Sequence, residues 1–286
     1  MLAKVFKFNR FAWILVFGLL LWSCKREKKE VLDTDTEVAS DNNIVEKEAS
    51  NVLDIVDKTA NDKMGKTQAS LLPSCAIVTL DTVSAIRSLT IDFGNAPGGC
   101  LCSNWDGRYR KGKIVVTWTG NYRDSASVLT IRTEDYYVGD GTNFNQHKFH
   151  KTVRNQGRNS SGNLYFAVSI KDTVILANNS GTITWKSDRT REWTAGETTK
   201  LNPFDDEYKI WGTGSGVTRS GKIYNLNVKQ STPLHIKLNC KWIVSGIVEI
   251  TPQGKSTRIL DYGNGNCDSY ANVTINGNTY QISLLK

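Results

Sequence analysis

The chain has 286 residues, a formal net charge of +8 and a 22% share of charged residues, so it has room for one large domain or two modest ones. Only five prolines, together with many Thr, Val, Ile, Tyr and Trp residues, favour strands. The basic residues alternate with Asp and Glu and form no stripe, and no nucleic-acid-binding motif occurs, so we expect no nucleic-acid partner.

The first ten residues carry three basic side chains, and an uncharged apolar run over 11–22 follows them. As a helix this run would rise about 18 Å, whereas the apolar core of a bilayer is about 30 Å thick. A cationic segment, a short apolar segment and then a small residue is the order of a secretory signal. We therefore predict a signal peptide over residues 1–23 and no permanent membrane span.

The apolar run ends in Leu21-Trp22-Ser23-Cys24, which resembles a bacterial lipobox. In that motif a leucine three residues before an invariant cysteine, and a small residue just before it, direct diacylglycerol onto the cysteine sulfur. The alternative is ordinary cleavage beside an incidental cysteine. Because Cys24 lies where the apolar run stops and polar sequence begins, we favour a lipid anchor at Cys24, and multiple acyl chains give stable attachment.

Residues 24–74 are polar and charged and lack strand alternation, which predicts a lipid-anchored tether. One part of it has a loose helical stripe, which predicts a short helix over 44–60. The stripe consists of Ile44, Val45, Ala49, Val52, Leu53, Ile55 and Val56. We expect this helix to pack on the following domain, or to remain nascent, rather than to recognise a partner.

From Cys75 onward apolar residues alternate with polar ones, which is the period of a half-buried strand. The clearest runs lie at 113–119, 164–170, 224–228 and 280–284. Turn signals separate the runs, and the strongest is Asn276-Gly277, which accepts the positive φ angles of a type I′ hairpin. The sequence therefore predicts an all-β domain over 75–286 with antiparallel meander sheets, either sandwich-like or an elongated twisted sheet.

A short pattern occurs twice in this domain. Thr90-Ile-Asp-Phe-Gly-Asn95 precedes Cys100, and Ile259-Leu-Asp-Tyr-Gly-Asn264 precedes Cys267. A strand region led by a cysteine, Cys75 or Cys240, comes before each copy, and another strand follows each copy. The repeat predicts two related three-strand meanders inside a single domain.

Disulfides are the default for the cysteines of an exported protein. The repeat suggests the pairs Cys75–Cys100 and Cys240–Cys267, each closing a loop that contributes at most ~3 kcal/mol. Two roles stay open for Cys102, which either replaces Cys100 as the partner of Cys75 or remains free. The single residue between Cys100 and Cys102 is too short a spacing for a structural zinc site.

The sequence shows no catalytic motif. It has three histidines, and it lacks a Gly-x-Ser-x-Gly elbow, a phosphate-binding glycine loop and a His-Glu-x-x-His zinc helix. Asp92 and Asp261 occupy matching places in the repeat before Gly-Asn, which favours turn capping over a pair of catalytic carboxylates. The acidic run 205–207 is interpreted as a solvated loop rather than a Ca²⁺ site. We predict no catalytic residue, no metal and no cofactor.

Tryptophans offer a candidate ligand contact, because exposed indoles on a β-surface can stack on sugar rings. Trp118 and Trp185 alternate with aliphatic residues and are predicted to lie in the core. Trp105 and Trp193 lie beside arginines in the sequence. We predict that these two are exposed and available for glycan stacking.

Several stretches carry a resemblance to a known family: the Ile-Asp-Phe-Gly-Asn pattern with Cys100, the stretch 107–120, the stretch 242–255 and the Asp-Tyr-Gly-Asn-Gly-Asn-Cys-Asp motif at its second copy. Over roughly 70–286 the chain resembles uncharacterised all-β lipoproteins of Bacteroidota. The resemblance supports four family-type cysteines and marks Cys102 as a local addition, but it implies no known activity. The family-type cysteines are Cys75, Cys100, Cys240 and Cys267.

These features predict a lipid-anchored protein of the cell envelope, held at the outer membrane, non-enzymatic and with a structural or binding role. The alternative is a carbohydrate-binding or adhesive surface module that uses exposed aromatic residues. A third hypothesis, an envelope hydrolase, requires two carboxylates that converge in one pocket. The expected partners are the membrane, through the N-terminal lipid, and a glycan or another envelope protein. The oligomeric state and the choice between the periplasmic face and the cell surface stay open.

Overall fold

The computed structural model describes residues 33–63, 72–84, 86–121, 123–199 and 202–284. By its internal contacts the chain divides into Met1–Asp33 and Thr34–Lys286, and every element described here belongs to the second unit. That unit begins with one α-helix, α1 (Glu37–Lys63), and continues with fifteen strands. The strands are β1 (Ile77–Asp81), β2 (Arg87–Asp92), β3 (Cys100–Leu101), β4 (Tyr109–Thr119), β5 (Val128–Gly139), β6 (Phe144–Arg158), β7 (Leu164–Ile175), β8 (Thr182–Ala195), β9 (Glu207–Val217), β10 (Ile223–Val228), β11 (Leu234–Lys237), β12 (Ile243–Pro252), β13 (Arg258–Asn264), β14 (Tyr270–Ile275) and β15 (Asn278–Ser283).

The strands form a single antiparallel meander. Their order in the sheet is β1-β2-β4-β5-β6-β7-β8-β9-β10-β12-β13-β14-β15, while β3 pairs with β4, and β11 pairs with both β9 and β12. Pairing between neighbours in the sequence needs only short connections. The all-β antiparallel prediction is confirmed, and of its two forms the structure has the single sheet.

The long central strands have one buried and one solvated face. In β8 every second residue from Ile183 to Trp193 is buried, and the residues between them are exposed or half-buried. β7 alternates in the same way from Leu164 onward. Such alternation is typical of an antiparallel sheet that covers a core with one face only.

The core is the space between this buried face and α1, because the sheet curls around the helix. Six consecutive residues of α1, from Asn51 to Val56, are buried, which a helix resting on a flat sheet does not achieve. The contacts of α1 reach from Arg108, just before β4, to Leu284, just after β15. The helix is therefore the centre of the fold.

α1 is longer and more central than the sequence suggests. The sequence predicts a tether over 24–74 with a helix over 44–60, whereas the helix spans Glu37–Lys63 and supplies core residues from Val38 onward. Its charged residues make this role hard to recognise from the sequence, because Glu46 and Glu48 are buried although such residues usually face solvent. A helix with acidic residues on several faces resembles a solvated segment until its basic partners are known.

Acidic residues of α1 pair with basic residues of the sheet and its loops. Glu46 binds Arg189 on β8. Near the start of the helix, Asp41 Oδ1 accepts a hydrogen bond from Arg219 Nε at 2.8 Å. Further pairs at this end join Asp35 to Lys222 and Lys255, and Glu37 to Lys222. The charges therefore fix the position of α1 along the sheet as well as its burial.

Glu48 lies in a buried cluster of charges halfway along α1. Its carboxylate accepts hydrogen bonds from Arg108 at 2.8 Å and from the Tyr136 hydroxyl at 3.2 Å. Burial alone would raise the pKa of Glu48, but the charges of Arg108, His147 and Arg110 outweigh it and lower the pKa to about 2. Glu48 is therefore ionised at neutral pH.

β9 carries alternate glycines, Gly212, Gly214 and Gly216, on the face toward the core. A Cβ atom on Gly214 would lie 2.6 Å from the carbonyl oxygen of Lys186, and one on Gly216 would lie 2.5 Å from the hydroxyl of Tyr224. These positions therefore have no room for a side chain, and Tyr224 of β10 reaches across β9.

The two copies of the sequence repeat lie near opposite ends of the sheet, in β1–β2–β4 and in β12–β13–β14. The disulfides Cys75–Cys100 and Cys240–Cys267 both form, as the repeat predicts. Cys102 is a buried free thiol, so of its two open roles it has the second.

The predicted hairpin at Asn276-Gly277 is also present. Ile275 pairs with Asn278 across the turn. The two turn residues have φ angles of +48° and +82°, as a type I′ turn requires.

Candidate binding site

The predicted signal peptide and the predicted lipid anchor, Cys24, lie outside the residues that the structure describes. Among the described residues no helix is both long and apolar enough to cross a membrane. The anchor therefore stays a prediction from the sequence.

Asp92 and Asp261 cap turns, as the repeat predicts. The Oδ1 atom of Asp92 accepts a hydrogen bond from the Gly94 amide at 2.9 Å, and that of Asp261 accepts one from the Gly263 amide at 2.8 Å. Both are Asx-type turns of the same form. Neither carboxylate lines the cavity described below.

Trp193 is buried, so the prediction that it is exposed is wrong. Only 6% of its surface is accessible, and its ring centroid lies 5.6 Å from that of Tyr208. Trp193 shares the inner face of β8 with Arg191, which lies 3.8 Å from Asp57 on α1. An arginine next to a tryptophan in the sequence does not show that the tryptophan is exposed, because a buried arginine can pair with a carboxylate of the core, as Arg191 does with Asp57.

The other tryptophans also differ in part from expectation. Trp105, predicted to be exposed, is half-buried in the segment between β3 and β4 and packs against the core. Trp118, predicted to lie in the core, is half-buried near the end of β4. Trp185 is buried, as predicted. Of the two indoles that line the cavity described below, Trp118 is therefore the one with part of its surface accessible.

A cavity of ≈ 570 Å³ lies beside the C-terminal part of α1. Val56 and Asp57 of the helix line one side, and residues of β2, β4, β5, β6, β7, β8 and β9 line the others. Its volume lies within the range of about 300–1,000 Å³ found for small-molecule sites. The curl of the sheet gathers these seven strands around the end of the helix, which makes the cavity.

Four aromatic residues form much of the wall: Trp118, Phe166, Trp193 and Tyr208. Phe166, Trp193 and Tyr208 are each at most 6% exposed. Trp118 is half-buried, so it presents the largest free aromatic surface of the four to an occupant.

Asp206 is a buried carboxyl in the same wall. Its Oδ1 atom accepts a hydrogen bond from Trp193 Nε1 at 3.2 Å, and its Oδ2 atom accepts one from the Tyr208 hydroxyl at 3.3 Å. Burial, reinforced by the charge of Asp57, raises the pKa of Asp206 to about 6. This group therefore changes charge close to neutral pH, unlike the solvated loop residue that the sequence suggests.

Asp57 is joined to this carboxyl through two intermediate side chains. Asp57 Oδ2 lies 3.8 Å from Arg191 Nη2. The guanidinium of Arg191 lies over the Tyr208 ring, with Cζ 3.4 Å from the ring centroid, and Tyr208 in turn donates to Asp206. The carboxylate of Asp57 is thus already engaged with the protein.

Two arginines line the cavity, Arg87 on β2 and Arg123 in the loop between β4 and β5. Arg87 Nη1 lies 3.4 Å from the carbonyl oxygen of Gly120, and Arg123 lies over the ring of Trp193 at 4.9 Å. Aliphatic residues such as Leu89, Val116 and Leu129 form another part of the wall. The lining also includes neutral hydrogen-bonding side chains. They are Thr82, Thr119, Asn121, Ser127, Asn155, Thr199 and Asn202.

Two histidines, His147 and His235, bind carboxylates. His147 Nδ1 lies 3.1 Å from Asp172, and His235 Nε2 lies 2.8 Å from Glu207. Within the described ranges of the chain, no three His, Cys, Asp or Glu side chains are grouped so that they could hold a metal ion.

Arg87, Arg123 and Asp57 are cavity residues that sequence reasoning does not single out. No local motif marks them, because the cavity combines a helix with seven strands. One signal could have found Arg87: it lies at the start of β2 and Trp118 lies near the end of β4, so the two are neighbours when these strands pair antiparallel. Recognising it requires the pairing of β2 with β4, which the sequence does not specify.

Comparison with protein-family models, with curated proteins and with solved structures found no match. The function is therefore argued from the cavity and from the sequence.

Proposed function

We propose that the protein is lipid-anchored in the cell envelope and binds a saccharide in the cavity beside the C-terminal part of α1. The observation that carries this proposal is the composition of the ≈ 570 Å³ cavity, which combines an accessible indole with many hydrogen-bonding side chains. Sugar rings have apolar C–H faces that pack on aromatic rings and hydroxyl groups that need hydrogen-bond partners. A cavity of this kind serves both needs.

Each kind of lining residue has a role in the proposal. Trp118 supplies the stacking surface, since it is the least buried aromatic residue of the wall. Asn121 offers its amide oxygen and Asn202 its amide nitrogen to sugar hydroxyls, because the other amide atom of each is bound to Asp124 or to the Phe204 backbone amide. The recessed position of Trp118 favours a short saccharide or the end of a chain over a flat polymer surface.

The location in the envelope rests on the sequence of the N-terminal segment and agrees with the cysteines. The order of charges, apolar run and Ser23-Cys24 favours lipidation. Two disulfides are usual in a compartment that is oxidising. A lipid on Cys24 would join the domain through the N-terminal end of α1, whereas the cavity adjoins the other end of the helix.

The anchor is tested by replacing its cysteine. Cys24→Ala protein should lose the lipid mass and leave the membrane fraction, while a Cys102→Ser control should remain with membranes. Lipidation is wrong if Cys24→Ala protein still fractionates with membranes and is still processed.

The saccharide site is tested with a glycan array followed by calorimetry on the array's best binder. We expect Trp118→Ala to weaken binding about tenfold or more, because stacking and buried area are lost. Trp105→Ala is the matched control, since Trp105 is also a half-buried indole but does not line the cavity. Absence of any glycan binding, or full affinity in Trp118→Ala, contradicts the proposal.

A second candidate function, glycoside hydrolysis, is favoured by one observation: Asp57 and Asp206 line the same cavity. Glycosidases use two carboxyl groups in one cavity, one of which has a raised pKa, and the pKa of Asp206 is raised to about 6. In that case Asp206→Asn abolishes turnover of the bound saccharide without abolishing its binding. If wild-type protein leaves every bound saccharide intact on prolonged incubation, the site binds and does not cleave.

A further inference from the structure

We propose that the saccharide recognised by the cavity is anionic, and that Arg87 and Arg123 bind its carboxylate or sulfate groups. This inference rests on the proposed function and deepens it, because it names the chemical class of the ligand.

The first observation is the position of Arg87 beside Trp118. The two residues are direct partners in the pairing of β2 with β4, so their side chains leave the same face of the sheet about 5 Å apart. Both are half-buried and both line the cavity. A sugar ring stacked on Trp118 would therefore hold an acidic substituent within reach of the Arg87 guanidinium.

The second observation is the contact of Arg123 with another tryptophan of the cavity wall, Trp193. The guanidinium of Arg123 lies 4.9 Å from the ring of Trp193. That ring is fixed by its hydrogen bond to Asp206. The stack holds the Arg123 side chain in a defined place at low entropic cost, and its donors remain available to a ligand.

The third observation concerns what these arginines do not bind. Among the residues that the structure describes, Arg87 and Arg123 form no ion pair with a carboxylate, whereas the arginines that face α1 pair with its carboxylates: Arg189 with Glu46, Arg108 with Glu48 and Arg191 with Asp57. Glu197, a nearby acidic group, binds Arg158 at 2.6 Å instead. The cavity thus has two positive groups whose charge the protein does not neutralise by contact.

The carboxyls that line the cavity bind groups other than these two arginines. Asp57 is next to Arg191. Asp206 accepts hydrogen bonds from Trp193 and Tyr208, and burial favours its protonated form by raising its pKa to about 6. A ligand that brings its own negative charge satisfies Arg87 and Arg123 with charge-assisted, bidentate hydrogen bonds, which a neutral sugar does not provide.

The experiment compares matched saccharides that differ only in charge. The first pair is trigalacturonic acid and its carboxyl-reduced form, and the second is N-acetylglucosamine 6-sulfate and N-acetylglucosamine. Calorimetry on the intact domain should show that an acidic member binds about ten- to a hundredfold more tightly than its partner. Its affinity should fall as NaCl is raised, because the ion pairs are partly exposed. The two pairs distinguish carboxylate from sulfate recognition.

Variants then assign the effect to the arginines. Arg87→Gln and Arg123→Gln should each reduce binding of the acidic saccharide about tenfold, and the ratio of the affinities for the acidic and the neutral form should fall accordingly. Arg132→Gln is the control, because Arg132 is an exposed arginine of β5 that binds Glu134 and does not line the cavity. Thermal unfolding of each variant shows whether the fold is intact.

The outcomes separate this inference from the proposed function. Equal affinity for acidic and neutral members, with Trp118→Ala still weakening both, overturns the anionic class and leaves saccharide binding in place. Binding of the acidic form that persists in both arginine variants also overturns it. Absence of binding by any saccharide overturns both proposals.

Discussion

Arg108 and Glu48 are 60 residues apart in the chain and meet in the core, with 2.8 Å between Nη2 and Oε2. The pair joins the segment before β4 to the middle of α1. Glu48 is 2% exposed and Arg108 is 26% exposed, so the contact is shielded from water on the side of the helix. The burial of this part of α1 therefore depends on the ion pair of Glu48, because an unpaired carboxylate is unstable in a hydrophobic core.

Glu48→Gln should therefore lower the free energy of unfolding by about 1–3 kcal/mol, because it removes the buried carboxylate that accepts from Arg108 and Tyr136, while Arg108 keeps its ion pair with Asp106 at 2.8 Å. Urea unfolding followed by circular dichroism measures the change. Glu134→Gln is the control: Glu134 and its partner Arg132 are about half exposed, so the loss there should be below about 1 kcal/mol. Equal losses in the two variants would show that the buried pair has no special weight.

Acid should weaken the same contact. The pKa of Glu48 is about 2 in the folded protein, against an ordinary value of 4.5, so the unfolded chain binds the proton more readily. The stabilisation is therefore complete above about pH 4.5 and is lost as the pH falls toward about 2. Unfolding measured across this range should show the difference between wild type and Glu48→Gln shrinking with acid. A constant difference contradicts this assignment.

Asp206 should have the opposite pH dependence. Its pKa is raised from 3.8 to about 6 in the folded protein, so folding favours the protonated carboxyl. The stability of wild type relative to Asp206→Asn should therefore be greatest below about pH 4 and should fall as the pH rises through about 6. Parallel urea titrations of the two proteins between these limits test the sign. A relative stability that rises with pH contradicts it.

The inner face of β9 should reject even a methyl group. Gly214→Ala places a Cβ atom 2.6 Å from the Lys186 carbonyl oxygen, and displacing a backbone atom in a packed sheet costs about 1–3 kcal/mol. Gly98→Ala is the control, since a Cβ atom there has nothing within 4 Å. Thermal unfolding should show a lower midpoint for Gly214→Ala alone.

Alkylation under denaturing, non-reducing conditions should label one cysteine of the all-β domain. The expected site is Cys102, because the other four cysteines of the domain form disulfides. Peptide mapping by mass spectrometry identifies the labelled residue. Label on Cys100 or Cys75 would show that Cys102 exchanges into the bridge.

The strands, the Asn276-Gly277 turn and both disulfides are predictable because they depend on local signals: a period of two, a dipeptide with positive φ angles and a repeated motif. α1 is predictable only in part. Its stripe indicates a helix that packs on the domain, but its full length and burial are not predictable, since the arginines that neutralise Glu46 and Glu48 lie at least 60 residues away.

The cavity is beyond prediction from the sequence for the same reason. The burial of Trp193 and the accessibility of Trp118 depend on how far the sheet curls and on where α1 ends within it. Alternation assigns each tryptophan to a face of a strand, but it does not state whether that face meets the helix or an open space. Register between distant strands decides this.

The position of α1 has a consequence for how the chain reaches this fold. The helix is made before the strands that surround it, and its partners include the carbonyl oxygen of Leu284, 237 residues beyond the Lys47 that binds it. An isolated helix with so many like charges is only marginally stable in water. Contacts of such long range also make folding slow. α1 is therefore synthesised before the strands but completes its contacts last. In an unfinished chain, the arginines of the sheet and the acidic residues of α1 are not yet paired with one another.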